Sequence, residues 1–208
     1  MDDTAFRLAL AGRRCTAVVI GASAGGVNAL IDILPALPAA CPFPVVAVLH
    51  VMRGRQNQLV EVFAQRVALT VEEAADKGEL APGTLYFAPA DYHLSIEADR
   101  TFSLSLEPPV HFARPAIDIT MASAADVYGP ELMGILLTGA NHDGAAGLAA
   151  IGAAGGVTVV QDPAEAQVSV MPEEAIRLRM PDLVLPLRDI GRLLVACADA
   201  GMTAGDKQ

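Results

Sequence analysis

Tryptophan is absent from the 208 residues, and phenylalanine and tyrosine together make up only 4% of them. The interior must therefore be built from Ala, Val, Leu and Ile. Cysteine is nearly as scarce. Cys15, Cys41 and Cys197 are odd in number and far apart, with no CxxC pair, so neither a zinc-ligand set nor a disulfide framework is indicated. Cys41 sits in Ala-Cys-Pro-Phe-Pro with no activating partner nearby in sequence, which argues against a reactive thiol. Positive charge is in deficit, at 14 basic against 24 acidic side chains and a net charge of −10, with no basic stretch to offset it. Such a surface repels a polyanion, and nucleic acid is not an expected partner. No apolar run reaches the roughly 18 residues that span a bilayer. The start, Met1-Asp2-Asp3-Thr4, is acidic where a secretory leader would be basic. A cytoplasmic, reduced protein without membrane insertion is expected.

What remains is apolar material in quantity. At 53% hydrophobic and 18% charged, the chain can bury a large core, and no disordered segment is indicated. Residues 1–14 read as a lead-in without a motif. Short apolar runs then alternate with helical segments. Strands are predicted at Thr16–Ile20, Pro44–Leu49, Gly83–Ala88, Leu132–Leu137, Val157–Gln161 and Leu183–Leu187. Helices are predicted at Gly25–Leu34, Gln56–Val67, Pro115–Val127, Gly144–Ala153, Pro172–Leu178 and Ile190–Ala198, with Gly201–Gln208 frayed. His93–Ile96 and Phe102–Leu106 alternate in polarity around Glu97-Ala98-Asp99-Arg100, the pattern of an antiparallel hairpin. The expected fold class is α/β: a doubly wound, mostly parallel sheet with helices on both faces and one hairpin near the middle of the chain. With no linker or repeat, residues 1–208 read as one catalytic domain with its core at about 16–198.

Open parallel sheets bind ligands beyond the carboxyl ends of their strands, so reactive residues just after apolar runs are the candidates. Ser23 follows the first strand in Gly21-Ala22-Ser23-Ala24-Gly25-Gly26 and directly precedes a helix. This Gly-x-Ser-x-Gly corner can present a nucleophilic hydroxyl, with the N–H of Ala24 as natural oxyanion donor. A phosphate cradle and a plain turn are the lesser alternatives. A dinucleotide fingerprint would need glycine at position 23, and a Walker loop would need Gly-Lys-Ser/Thr. His50 closes the run PVVAVLH, and Asp143 ends Thr138-Gly139-Ala140-Asn141-His142-Asp143. Histidine is the usual base near neutral pH, and a carboxylate can orient it. Asp143 also suits the N-cap of its own helix. Spacing does not choose between His50 and His142 as the base. His93 and His111 are read as structural or substrate-adjacent.

Taken in order, GASAGG, the strand ending in His50, APADYHL, FARPAID, LLTGANHDGAAGL and MPEEAI resemble the CheB-type chemotaxis protein-glutamate methylesterases, from about Val18 to Leu194. The resemblance implies Ser23 as nucleophile, His50 as base and Asp143 as orienter, with Ala24 and Ala140 at the oxyanion rim and no metal or cofactor. It implies hydrolysis of glutamate γ-methyl esters on a methylated receptor cytoplasmic domain or similar helical protein, releasing methanol, with glutamine deamidation as a companion activity. About 15 residues precede the first strand, so a stand-alone domain without a receiver is expected. Where the family commonly has Gly-Met-Gly-x-Asp, this chain has Gly139-Ala140-Asn141-His142-Asp143, which removes a methionine and adds an imidazole. Two other readings stay open: a nucleotide-binding α/β domain, and an idle interaction module of the same fold.

Overall fold

The computed structural model describes residues 12–50 and 56–205. Most of the expected lead-in, and residues 206–208 of the expected frayed end, lie outside them. Strand β1 (Ala17–Ala22) leads to helix α1 (Gly26–Ile33), then β2 (Val45–Leu49), α2 (Gln56–Ala64), β3 (Thr70–Glu73) and β4 (Thr84–Phe87). The hairpin β5 (His93–Ile96) and β6 (Phe102–Ser105) follows, and then α3 (Ile117–Tyr128), β7 (Leu132–Leu136) and α4 (Ala145–Ala153). The chain continues through β8 (Val157–Gln161), α5 (Val170–Leu178), β9 (Leu183–Leu185) and α6 (Leu187–Gly205).

Seven strands form one all-parallel sheet in the order β3-β4-β2-β1-β7-β8-β9, and the antiparallel hairpin stands apart as a two-stranded sheet. The doubly wound expectation holds. Strand side chains alternate between faces, and β1 splits accordingly. Val18, Ile20 and Ala22 join a core with Leu30 and Ile33 of α1, Phe63 of α2 and Leu194 of α6. Ala17 and Val19 join the other, with Ile117 and Met121 of α3, Leu148 of α4, Met171 of α5 and the hairpin residues Leu94 and Phe102. Both faces of the central strands are thus buried, which is why they read as unbroken apolar runs.

Two details correct the sequence reading. Strand β3 (TVEE) was not predicted. It is an edge strand with mostly exposed side chains, so it lacks the apolar signal of its neighbours. Helix α6 runs to Gly205, well past the expected end at Ala198, and includes part of the segment expected to fray. Gly201 fits there because a Cβ at that position would stand 2.6 Å from the ring of Pro42, so the helix packs closely on that loop.

Candidate active site

Strands β2, β1 and β7 are neighbours, in register at Ala22 with Leu49 and at Gly21 with Leu136. The strand order changes direction at β1, where β2 lies to one side and the late strand β7 to the other. That is the switch point at which doubly wound sheets form a crevice. Ser23 leaves β1 there, His50 leaves β2, and the loop Thr138–Asp143 leaves β7.

The Ser23 corner is tied down from two sides. Its N–H donates to the Thr138 carbonyl at 3.0 Å, and its own carbonyl accepts the Gly26 N–H at 2.8 Å. The Thr138 hydroxyl donates to the Ala24 carbonyl at 2.8 Å and accepts the Val168 N–H at 2.9 Å. Gly25 turns the chain into α1 with φ of 82°, a conformation that costs an L-residue about 1–2 kcal/mol. The N–H groups of Ala24 and Gly25 make no hydrogen bond among the described residues. Two free donors at a helix start suit one developing oxyanion. Gly21, just before the corner, has no room for a side chain. A Cβ would stand 2.4 Å from Ile117 Cγ2, so glycine lets the start of α3 press onto the strand end.

That approach brings α3 to Asp143. The carboxylate is fully buried and accepts N–H bonds from Ile117 at 2.7 Å and Asp118 at 3.0 Å. His50 Nε2 lies 2.8 Å from Asp143 Oδ2. Burial by itself would raise the Asp143 pKa, but the hydrogen bonds from His50, Asp118 and Ile117 outweigh it and hold the group below its ordinary value. An ionised carboxylate accepts, so Nε2 carries the proton and Nδ1 is left as the basic nitrogen. Ser23 and His50 line one cleft of about 250 Å³ with Gly25, Leu49 and Gln167. The Ser23 hydroxyl makes no hydrogen bond among the described residues, and none links it to His50.

Asp143 does not cap its own helix, as its place in the sequence suggested. It closes the start of α3, while Asp118 of α3 closes the start of α4 by accepting the N–H groups of Gly144 at 2.9 Å and Gly147 at 2.7 Å. The two carboxylates cap each other's helices. Burial, together with the nearby Asp143 charge, raises the Asp118 pKa, against the lowering by the Gly147 and Gly144 amides and His111. Asp118 was not singled out in the sequence because a first-turn acid in FARPAID looks like ordinary dipole complementation.

The other histidines separate clearly. His142 turns its ring edge-on to His111, with centroids 4.3 Å apart, while His50 takes the carboxylate. His111 Nε2 lies 3.3 Å from Asp118 Oδ2, beside the fully exposed Phe112. His93 is buried between the Pro108 carbonyl and the Ala116 N–H, so it braces the loop ahead of α3. Ala140 is exposed and Ala24 half-buried. Cys41 and Cys197 are buried free thiols, pushed by desolvation up to about 11 and about 12. A larger depression of about 600 Å³ between α1 and α6 mixes acidic and basic side chains and shares no residue with the Ser23 cleft. No group of His, Cys, Asp and Glu among the described residues could hold a metal, and no described helix is long and apolar enough to cross a membrane.

Comparison with known proteins places this architecture. The chain is 43% identical over 179 residues to a Leptospira interrogans protein named for glutamate methylesterase and glutamine glutaminase activities, covering 86% of this chain and 93% of the relative. It is 41% identical over 185 residues to the protein-glutamate methylesterase/protein-glutamine glutaminase 1 of Carboxydothermus hydrogenoformans, covering 86% of this chain but only 54% of that one. The chain thus spans about half the length of several such relatives. The crystal structure of the Thermotoga maritima CheB methylesterase catalytic domain superposes with a TM-score of 0.84 at 35% identity, over 87% of this chain and 97% of that one. The family model for CheB methylesterase matches residues 18–194, so the chain belongs to the CheB methylesterase family of carboxylic ester hydrolases.

Proposed function

We propose that this chain, folded as one catalytic domain, hydrolyses glutamate γ-methyl esters on a helical receptor-like protein through Ser23, His50 and Asp143. The observation that carries the reading is the 2.8 Å contact between His50 and the buried Asp143, with His50 and Ser23 facing the same cleft. A serine hydroxyl is a weak nucleophile near neutral pH and needs a base as it attacks. In this mechanism the Ser23 side chain turns within the shared cleft toward His50 Nδ1, which takes the proton while Oγ bonds to the ester carbon. The carbonyl electrons move onto oxygen, and the Ala24 and Gly25 N–H groups receive that charge. The tetrahedral species expels methoxide, which leaves as methanol with the proton from His50. Water then attacks the acyl-serine, His50 again takes the proton, and Ser23 is released with free glutamate. Asp143 holds the ring in one tautomer and stabilises its protonated form.

The same sequence releases ammonia from a glutamine side chain, because only the leaving group changes. The companion deamidase activity of the named relatives is therefore chemically open to this site. A phosphate-binding turn is less well supported: the corner spends the Ser23 and Gly26 N–H groups internally, leaving few to cradle a phosphate. The test is methanol release from a methylated receptor fragment, with mass spectrometry of the modified glutamates. Wild-type protein should release methanol and Ser23→Ala should release none. Full activity in the alanine variant would overturn the mechanism.

A further inference from the structure

Gln167 and Asn28 are two polar side chains lining the cleft that neither sequence motif nor mechanism has used, and Gln167 is the one laid over the Ser23 corner. The segment carrying it is pinned to the end of β7: the Val168 carbonyl accepts the Gly139 N–H at 3.0 Å, and the Val168 N–H donates to Thr138 Oγ1. This lays the Gln167 side chain over Gly25, two residues after Ser23. Its Oε1 and Cδ lie 2.7 and 3.1 Å from where a Gly25 Cβ would stand, so glycine at position 25 makes room for this amide as well as for the left-handed turn. The amide makes no hydrogen bond among the described residues. Neither end is committed, so a half-turn about the last torsion exchanges Oε1 and Nε2 at little cost.

Resting on the Ser23 reading above, we propose that Gln167 is a further catalytic residue, whose Nε2–H donates to the substrate carbonyl oxygen as it becomes an oxyanion. An oxygen bound at the Ala24 and Gly25 N–H groups would sit in the same cleft that Gln167 and His50 line, with the Gln167 amide packed over Gly25. A side-chain amide beside backbone donors is a known way to stabilise such charge, and it acts on the transition state more than on the ester. A residue that merely covered the turn would need only its shape.

The experiment compares Gln167→Met, which keeps the shape and loses the donor, with Gln167→Glu, which sets a carboxylate beside the developing charge. For methanol release by the full chain, Q167M should lower kcat on the order of tenfold to a hundredfold with KM and the melting temperature nearly unchanged. Q167E should lose more. The same variants are scored for the rate at which a fluorophosphonate labels Ser23, because its phosphoryl oxygen seats on the same donors and no receptor is needed. Q167M should label more slowly by a similar factor. Wild-type kcat and labelling in Q167M, or a loss confined to KM, would overturn the proposal. An active Ser23→Ala variant would instead overturn the reading of the site itself.

Discussion

The Thr138 hydroxyl, buried at the end of β7, donates at 2.8 Å to the carbonyl of Ala24, the residue after Ser23. One side chain thereby links the Ser23 corner to the next strand, and through the Val168 N–H to the segment that carries Gln167. Thr138→Val keeps the volume but strands that carbonyl and that N–H. It should cost about 1–3 kcal/mol, several degrees in Tm, and lower kcat by loosening the corner. Thr138→Ser should retain both. Thermal melts alongside methanol release separate the two variants.

Asp143→Asn is expected to be far more damaging to turnover than its size suggests. An amide cannot accept from His50, Ile117 and Asp118 at once, and it favours the wrong imidazole tautomer. A loss in kcat of about 10³- to 10⁴-fold is expected, by analogy with other serine hydrolases that lose this carboxylate. Steady-state kinetics with unchanged far-UV circular dichroism would check it.

The same carboxylate carries a pH signature. Its folded-state pKa lies below the ordinary 3.8, so the native state binds fewer protons there than the unfolded chain. The stability it contributes is fully present above pH 3.8 and is lost as pH falls through the depressed value. Asp118 has the opposite sign. Its pKa is raised, so its contribution is fully present below 3.8 and is lost as pH rises from 3.8 through the raised value. Urea titrations against pH should find the stability gap between wild type and Asp143→Asn narrowing below pH 3.8. A gap that widens there would contradict the depressed pKa.

Thiol chemistry should be silent. With Cys41 pushed up to about 11 and Cys197 to about 12, the thiolate fraction at neutral pH is on the order of 10⁻⁴ or less. Iodoacetamide should leave both unmodified in the native protein by mass spectrometry, with methanol release unaffected.

Much of the frame could be read from the sequence because the central strands are buried on both faces and announce themselves as apolar runs. Ser23 and His50 could be read as candidates because each follows such a run directly. Strand β3 could not, since Thr70-Val71-Glu72-Glu73 lies at an exposed edge and shows no burial pattern. Spacing leaves both His50 and His142 open, and only the family resemblance implies His50; residues 142 and 143 are adjacent, yet their side chains face different partners. Asp118, Thr138 and Gln167 stayed hidden for a related reason. Each acts on a backbone group or a cleft more than twenty residues away, and no local pattern of polarity records such a contact.

The mutual closure of two helix starts by Asp118 and Asp143 has an evolutionary corollary. A lineage that abandoned catalysis could discard the Ser23 hydroxyl freely, because it makes no hydrogen bond among the described residues. The acid could not be discarded so easily: exchanging it would loosen a layer of the protein's architecture. Retired descendants of this scaffold should therefore keep an aspartate at position 143 long after serine has gone from position 23, and an aspartate there is poor testimony that such a descendant still works.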